Sequence, residues 1–74
     1  MDTTLLNRIT TNPAILGGKP VVRGMRVSVE HVLKMFARNI SAKEIIEEYP
    51  LLNEDDIRAC LLFAVFKLSN GSEE

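Results

Sequence analysis

The sequence predicts a mainly α fold in which three helices follow a short N-terminal β segment. From about residue 8 to residue 27 the chain holds only brief β-branched stretches, such as RITT and PVV, separated by glycine and proline. From about residue 29 to residue 68 the apolar residues recur at helical spacing. The 74 residues are predicted to form one domain, residues 1–74, with residues 69–74 as a frayed polar tail.

The first predicted helix follows Ser28 and runs to about Arg38. Its apolar residues recur three and four positions apart, which places them on one face of a helix. They are Val29, Val32, Leu33, Phe36, Ala37 and Ile40. Asn39 is predicted to end this helix, because asparagine tolerates the left-handed conformation of a helix C-terminus.

The second predicted helix begins at Ala42. Ser41 stands three residues before Glu44, the spacing at which a hydroxyl and a carboxylate bind the free amides of a helix start. Pro50 is predicted to stop the helix, because proline lacks an amide hydrogen and its ring clashes with the preceding turn.

The third predicted helix begins after a cap at Asn53 and runs to about Leu68. Its first turn holds three carboxylates, which the helix dipole favours: Glu54, Asp55 and Asp56. The short connection YPLLN before this helix suggests a helix-turn-helix. In such folds the start of the last helix reads DNA. Here phosphates would be repelled by the carboxylates, so the sequence does not predict that use of the helix.

Apolar residues cover nearly the whole circumference of the third helix. One set is predicted to face the rest of the fold: Ile57, Cys60, Leu61, Ala64 and Leu68. A second set lies on another side and is predicted to form a homodimer interface: Ala59, Leu62, Phe63 and Phe66. The alternative is that the N-terminal strands of the same chain cover this second face.

The charges of the chain are divided between its two halves. Residues 1–40 carry six cations against two carboxylates, a net charge of +4, and residues 41–74 carry three cations against eight carboxylates, a net charge of −5. Candidate contacts to a partner protein or to nucleic acid therefore lie in the first half. They are Arg8, Lys19, Arg23 and Arg26.

The segment GGKP lacks the earlier glycine, the following serine or threonine and the adjacent helix of a phosphate-binding loop. It is predicted to be a turn, in which Gly17 and Gly18 supply positive φ. His31 is predicted to be solvated and Cys60 to be a small core residue. The sequence therefore predicts a protein that is not an enzyme, with no catalytic residue, metal, cofactor or small-molecule substrate.

Membrane association is not predicted. No apolar run approaches the roughly 20 residues that a membrane span needs. A cytoplasmic protein without a membrane partner is therefore expected.

The segment from Arg8 to about Ala64 resembles the small bacterial and archaeal family catalogued as domain of unknown function 433. The motifs that carry the resemblance are NP followed by GGKP, then RGMR, EIIEEYP and DIRA. Members usually carry threonine where this chain has Met25. The resemblance implies a homeodomain-like three-helix bundle behind a short β segment. Because members often lie beside genes for PIN-like nucleases, it also implies a role like that of a VapB-type antitoxin.

Residues and resemblance together predict a homodimeric binding module, the antitoxin-like partner of a PIN-type nuclease toxin, with DNA binding for autoregulation. PIN-type nucleases hold metal with a cluster of carboxylates, and arginine pairs bidentately with carboxylate. Arg23 and Arg26 are predicted to make that contact. The rival hypothesis is a stand-alone DNA-binding transcription regulator without a toxin partner, which uses the same arginines on phosphate.

Overall fold

The computed structural model describes residues 3–70 of the chain, with side chains for residues 3–69. A 3-10 helix (Thr3–Arg8) leads into a two-stranded sheet of β1 (Ile9–Thr10) and β2 (Val21–Val22), and a 3-10 turn (Leu16–Gly18) lies between the strands. The helices α1 (Val29–Ala37), α2 (Ala42–Glu48) and α3 (Glu54–Asn70) follow. The prediction of a mainly helical fold with a short N-terminal β segment is confirmed.

The two strands are antiparallel, with Ile9 opposite Val22. After β2 the chain reverses direction through Arg23 and Gly24, whose φ angles are 46° and 73°. The Met25 amide donates to the Val22 carbonyl over 2.8 Å and closes the turn. Two successive left-handed residues are typical of a type I′ turn. The structure thus displays residues 23–27 as a compact turn beside the sheet.

The turn predicted at GGKP is confirmed. Gly17 and Gly18 have φ angles of 68° and 87°, which lie in the left-handed region that favours glycine.

The predicted helix ends follow from local hydrogen bonds. Asn39 has a φ angle of 67°, and the Ile40 amide donates to the Met35 carbonyl over 3.0 Å, which is the Schellman pattern at the end of α1. At the start of α2, Ser41 and Glu44 form the predicted capping box.

The C-terminal boundary of α3 differs from the prediction. The helix continues through Ser69 to Asn70, two residues beyond the predicted end at about Leu68. The predicted frayed tail therefore overlaps α3 at two positions, and residues 71–74 lie outside the described residues.

The main core lies where β2 and the three helices meet. Its buried members come from every one of these elements and from the connection before α3. They are Val22, Val29, Val32, Met35, Ile45, Leu52, Ile57 and Cys60. Burial of Cys60 confirms its predicted place in the core.

The predicted faces of α3 need correction. Ala59 and Leu62, assigned to a dimer interface, are buried within the chain, because the N-terminal 3-10 helix packs along α3. Phe63 is half-buried against the core, and Phe66 is 48% exposed.

On the face of α3 that was predicted to meet the fold, Leu61 and Leu68 are instead exposed, Leu68 by 75%. The alternative that the N-terminal segment covers the second face is closer to the structure. The covering element is a 3-10 helix, which was not predicted, rather than strands.

Within residues 3–70, no helix combines the length and the apolar character that crossing a bilayer requires.

We predict that Ile45→Ala destabilises the fold by about 2 to 5 kcal/mol, because Ile45 is fully buried at the centre of the core and its truncation leaves a cavity. Urea unfolding followed by circular dichroism measures the change. Leu51→Ala, at a side chain that is 77% exposed, is the control and changes stability within about 0.5 kcal/mol. Equal effects at the two positions would show that Ile45 is not a core residue.

Candidate functional site

A fully buried carboxylate stands at the start of α3. Arg23 donates to Asp56 from Nε to Oδ1 over 3.0 Å and from Nη2 to Oδ2 over 2.8 Å, a bidentate pair. Arg8 donates from Nη1 to Oδ1 over 3.0 Å. The backbone amide of Asn53 donates to Oδ2 over 3.0 Å. We call the set of Arg8, Arg23 and Asp56 the arginine clasp.

The same carboxylate belongs to the cap of α3. The Asp56 amide donates to Asn53 Oδ1 over 2.9 Å, while the Asn53 amide donates back to the Asp56 carboxylate. This reciprocal pair is a capping box with aspartate in the place of the usual glutamate. The predicted cap at Asn53 is confirmed, and Asp56 turns inward because this geometry aims it back toward the helix start.

Opposing effects act on the pKa of Asp56. Burial raises it, but hydrogen bonds from Arg23, the Asn53 amide and Arg8, together with the charge of Arg23, lower it by more, so that it lies below its ordinary value. The carboxyl is therefore ionised at neutral pH and pairs with both arginines.

Arg23 joins the turn to the connection between α2 and α3. Besides its bonds to Asp56, its Nη2 donates to the Leu51 carbonyl over 2.7 Å. The left-handed backbone of Arg23 is unfavourable for a residue with a side chain. These hydrogen bonds stabilise that conformation, so the clasp sets the position of residues 23–27.

The four predicted contact cations differ in their surroundings. Arg8 and Arg23 bind Asp56, and Lys19 Nζ lies 3.1 Å from Glu30 Oε1. Hydrogen bonds from Lys19 and Lys34 lower the pKa of Glu30. Arg26 is exposed and forms no ion pair with any residue among 3–69. The structure thus leaves one of the four cations fully available to a partner.

An apolar groove of about 500 Å³ adjoins Arg26. It lies between the turn of residues 23–27 and the segment of residues 48–52. Its apolar and aromatic walls come from Met25, Val27, Tyr49, Pro50, Leu51 and Leu52. Arg26 and Glu48 complete the lining from opposite segments. We call this the Arg26 groove.

Two further residues from the sequence analysis have structural surroundings. His31 is exposed, as predicted, and its Nε2 lies 3.1 Å from Tyr49 Oη, so it links α1 to the residue that follows α2. Burial, with a smaller effect of the Asp56 charge, raises the pKa of Cys60 to about 12, so this thiol remains protonated at neutral pH.

Among residues 3–69, no three side chains of histidine, cysteine, aspartate or glutamate stand close enough to share an ion.

The inward position of Asp56 was not predicted, because its place beside Glu54 and Asp55 in the first turn of α3 is explained by the helix dipole alone. The available signal was the spacing of Asn53 and Asp56, which matches a capping box and predicts a carboxylate that turns back. The two arginine partners could not be found this way, because they lie 48 and 33 residues away along the chain.

The fold and the site define a small, mainly helical protein whose α3 is clasped to the N-terminal segment through a buried carboxylate. The chain belongs to the family described as "Protein of unknown function (DUF433)", whose family model matches residues 9–64. Arg23 and Asp56 lie inside this segment, and Arg8 directly precedes it.

One curated relative is the uncharacterized protein y4eO of Sinorhizobium fredii, which is 41% identical over 56 residues. The matched segment is 76% of this chain and 25% of the relative, so this chain corresponds to about a quarter of that protein. No solved structure matches the chain.

We predict that Asp56→Asn destabilises the fold by about 3 kcal/mol, because it removes the charge that two arginines share. The folded pKa of Asp56 lies below the unfolded value of about 3.9. Its contribution is therefore fully present above that value and is lost as the pH falls through the folded pKa. Urea titrations between pH 7 and pH 3 are expected to show a shallower loss of stability for the variant than for the native chain.

The matched control is Asp55→Asn, the same change at the exposed neighbour, whose ion pairs with Arg8 and Arg58 are 3.6 and 3.8 Å long. Surface pairs of this kind contribute less than about 1 kcal/mol. A pH dependence that is unchanged in Asp56→Asn, or equally changed in both variants, would contradict the assigned role of Asp56.

Proposed function

We propose that this chain is a non-enzymatic homodimeric binding module and the antitoxin-like partner of a PIN-type nuclease. The observation that carries the proposal is Arg26. Its guanidinium is exposed on a turn held by the arginine clasp, has no carboxylate partner among residues 3–69 and adjoins an apolar groove. A cation beside apolar side chains suits a protein surface with carboxylates, because arginine pairs bidentately with them.

The distribution of charge favours a protein partner over a DNA backbone. Binding to duplex DNA draws on several free cations, whereas Arg8, Lys19 and Arg23 are each engaged by a carboxylate of this chain. Glu54 and Asp55 are exposed at the start of α3, where they would repel phosphates. Asp56 takes no part in this repulsion because it is buried.

The proposal includes the finer fold assignment. We assign α2 and α3, with their short connection, to a helix-turn-helix of homeodomain-like type. The order of the three helices and the lengths of their connections support this assignment.

The dimer is proposed to form through residues 61–68 of α3. Leu61, Val65 and Leu68 lie four and three residues apart, so they share one face, and all three are exposed. Phe66, the one residue of the predicted interface that is exposed, lies within the same segment of the helix. Apolar exposure concentrated on one helix segment marks an interaction surface.

We predict that Arg26→Ala keeps the fold and lowers inhibition of the partner nuclease at least tenfold, because it removes the cation that meets the nuclease carboxylates. The assay is co-purification with a co-expressed PIN-type nuclease of the same organism, followed by RNA cleavage by the purified complex. Lys43→Ala, which removes an exposed cation on the first turn of α2, is the control and leaves inhibition unchanged.

If the Arg26→Ala variant forms a stable complex and still inhibits the nuclease fully, Arg26 does not make the contact. If no nuclease binds and duplex DNA binds with a steep dependence on salt, a regulator without a toxin partner replaces this proposal. Arg23→Ala is unsuitable for this test, because the loss of the clasp would alter the fold.

We predict that Leu61→Glu combined with Leu68→Glu converts the dimer to a folded monomer. Burying a leucine contributes about 1.5 to 3 kcal/mol, and the two glutamates place charges in the contact. Sedimentation equilibrium measures the mass, and circular dichroism checks the fold. Leu51→Glu, at an exposed leucine outside α3, is the control and stays dimeric. A double variant that sediments as the native dimer would place the interface elsewhere.

A further inference from the structure

The Arg26 groove has a buried floor and an exposed rim. Leu52 is buried at its base, whereas Leu51 is 77% exposed at its edge. Leu51 is so exposed in the isolated chain that only a second molecule could cover it. The volume of about 500 Å³ falls within the range of pockets that hold a ligand or a few side chains of a partner.

Hydrogen bonds hold both walls of the groove. Arg23 Nη2 binds the Leu51 carbonyl over 2.7 Å, and the Leu52 amide donates to the Tyr49 carbonyl over 2.9 Å. On the other wall, the Met25 amide donates to Val22. The groove is therefore formed before a partner arrives, which lowers the entropic cost of binding.

The two charged residues of the groove stand on opposite walls. Arg26 comes from the turn after β2, and Glu48 is the last residue of α2. Both are exposed, and neither has an ion pair with another side chain in the part of the chain that the structure describes. A bound segment therefore meets a cation on one side of the apolar walls and a carboxylate on the other.

We propose that the Arg26 groove binds a segment of the partner protein that carries a large apolar side chain between an acidic and a basic residue. The apolar side chain covers Leu51, the acidic residue pairs with Arg26, and the basic residue pairs with Glu48. This inference rests on the proposed function, and the nuclease supplies the segment.

Other occupants fit the groove less well. Phosphates of a nucleic acid offer no apolar group to cover Leu51, and Glu48 repels them. A second copy of the chain that placed α3 in the groove would make a head-to-tail contact, which builds rings or filaments rather than a twofold dimer.

The test measures the affinity of the full chain for a PIN-type nuclease of the same organism by isothermal titration calorimetry. Leu51→Asp is expected to weaken binding at least tenfold, because it puts a charge on the apolar rim. Leu16→Asp is the control: the same change at an exposed leucine between the strands that does not line the groove, where binding stays within twofold.

Exchanging the charges of Arg26 and Glu48 tests whether binding depends on these local ion pairs or only on the net charge of the chain. Arg26→Glu combined with Glu48→Arg leaves the net charge unchanged but reverses both walls, so it is expected to weaken binding at least tenfold. Thermal melting checks that each variant is folded.

The outcomes distinguish the inference from the proposed function. If the nuclease binds the native chain, and Leu51→Asp and the charge exchange bind within twofold of it, the groove is not the docking site, although the proposed function stands. If the nuclease does not bind the native chain, the proposed function and this inference both fail. A change in the mass of the free chain caused by Leu51→Asp would assign the groove to a second copy and overturn the inference.

Discussion

The buried carboxylate of Asp56 joins three segments of this chain by hydrogen bonds. Arg8 comes from the N-terminal 3-10 helix, Arg23 from the turn after β2, and the Asn53 amide from the start of α3. An ionised carboxylate is costly to bury without partners, so the chain reaches this state only when all three segments are in place. In a chain of 74 residues with a small apolar core, the clasp adds a geometric constraint that apolar packing lacks.

The clasp also distinguishes two arginines with a structural role, Arg8 and Arg23, from Arg26, which is available for contact with a partner. Arg8 and Arg23 are committed to Asp56, and this commitment fixes the turn that carries Arg26. The same hydrogen bond from Arg23 to Leu51 shapes the Arg26 groove. The buried clasp thereby positions an exposed surface in which Arg26 adjoins apolar side chains. This surface is the basis of the proposal that the partner is a protein.

The helices and their ends could be predicted because their causes lie within a few residues. Ser41 caps α2 through Glu44, three residues on, and Asn39 ends α1 by adopting a left-handed conformation. Such contacts act within one turn, so the amino-acid pattern alone specifies them. The inward turn of Asp56 was in principle predictable for the same reason, since its spacing from Asn53 is that of a capping box.

By itself the sequence determined the helical class of the fold, the helix caps, the glycine turn and the concentration of cations in the first half of the chain. Only the tertiary structure decided which cations remain free and which face of α3 is covered. The arginines reach Asp56 across 48 and 33 residues, and the N-terminal 3-10 helix covers Ala59 and Leu62 from the opposite end of the sequence. A helix with apolar residues on nearly all sides does not specify its own inward face, because burial depends on which distant segments pack against it.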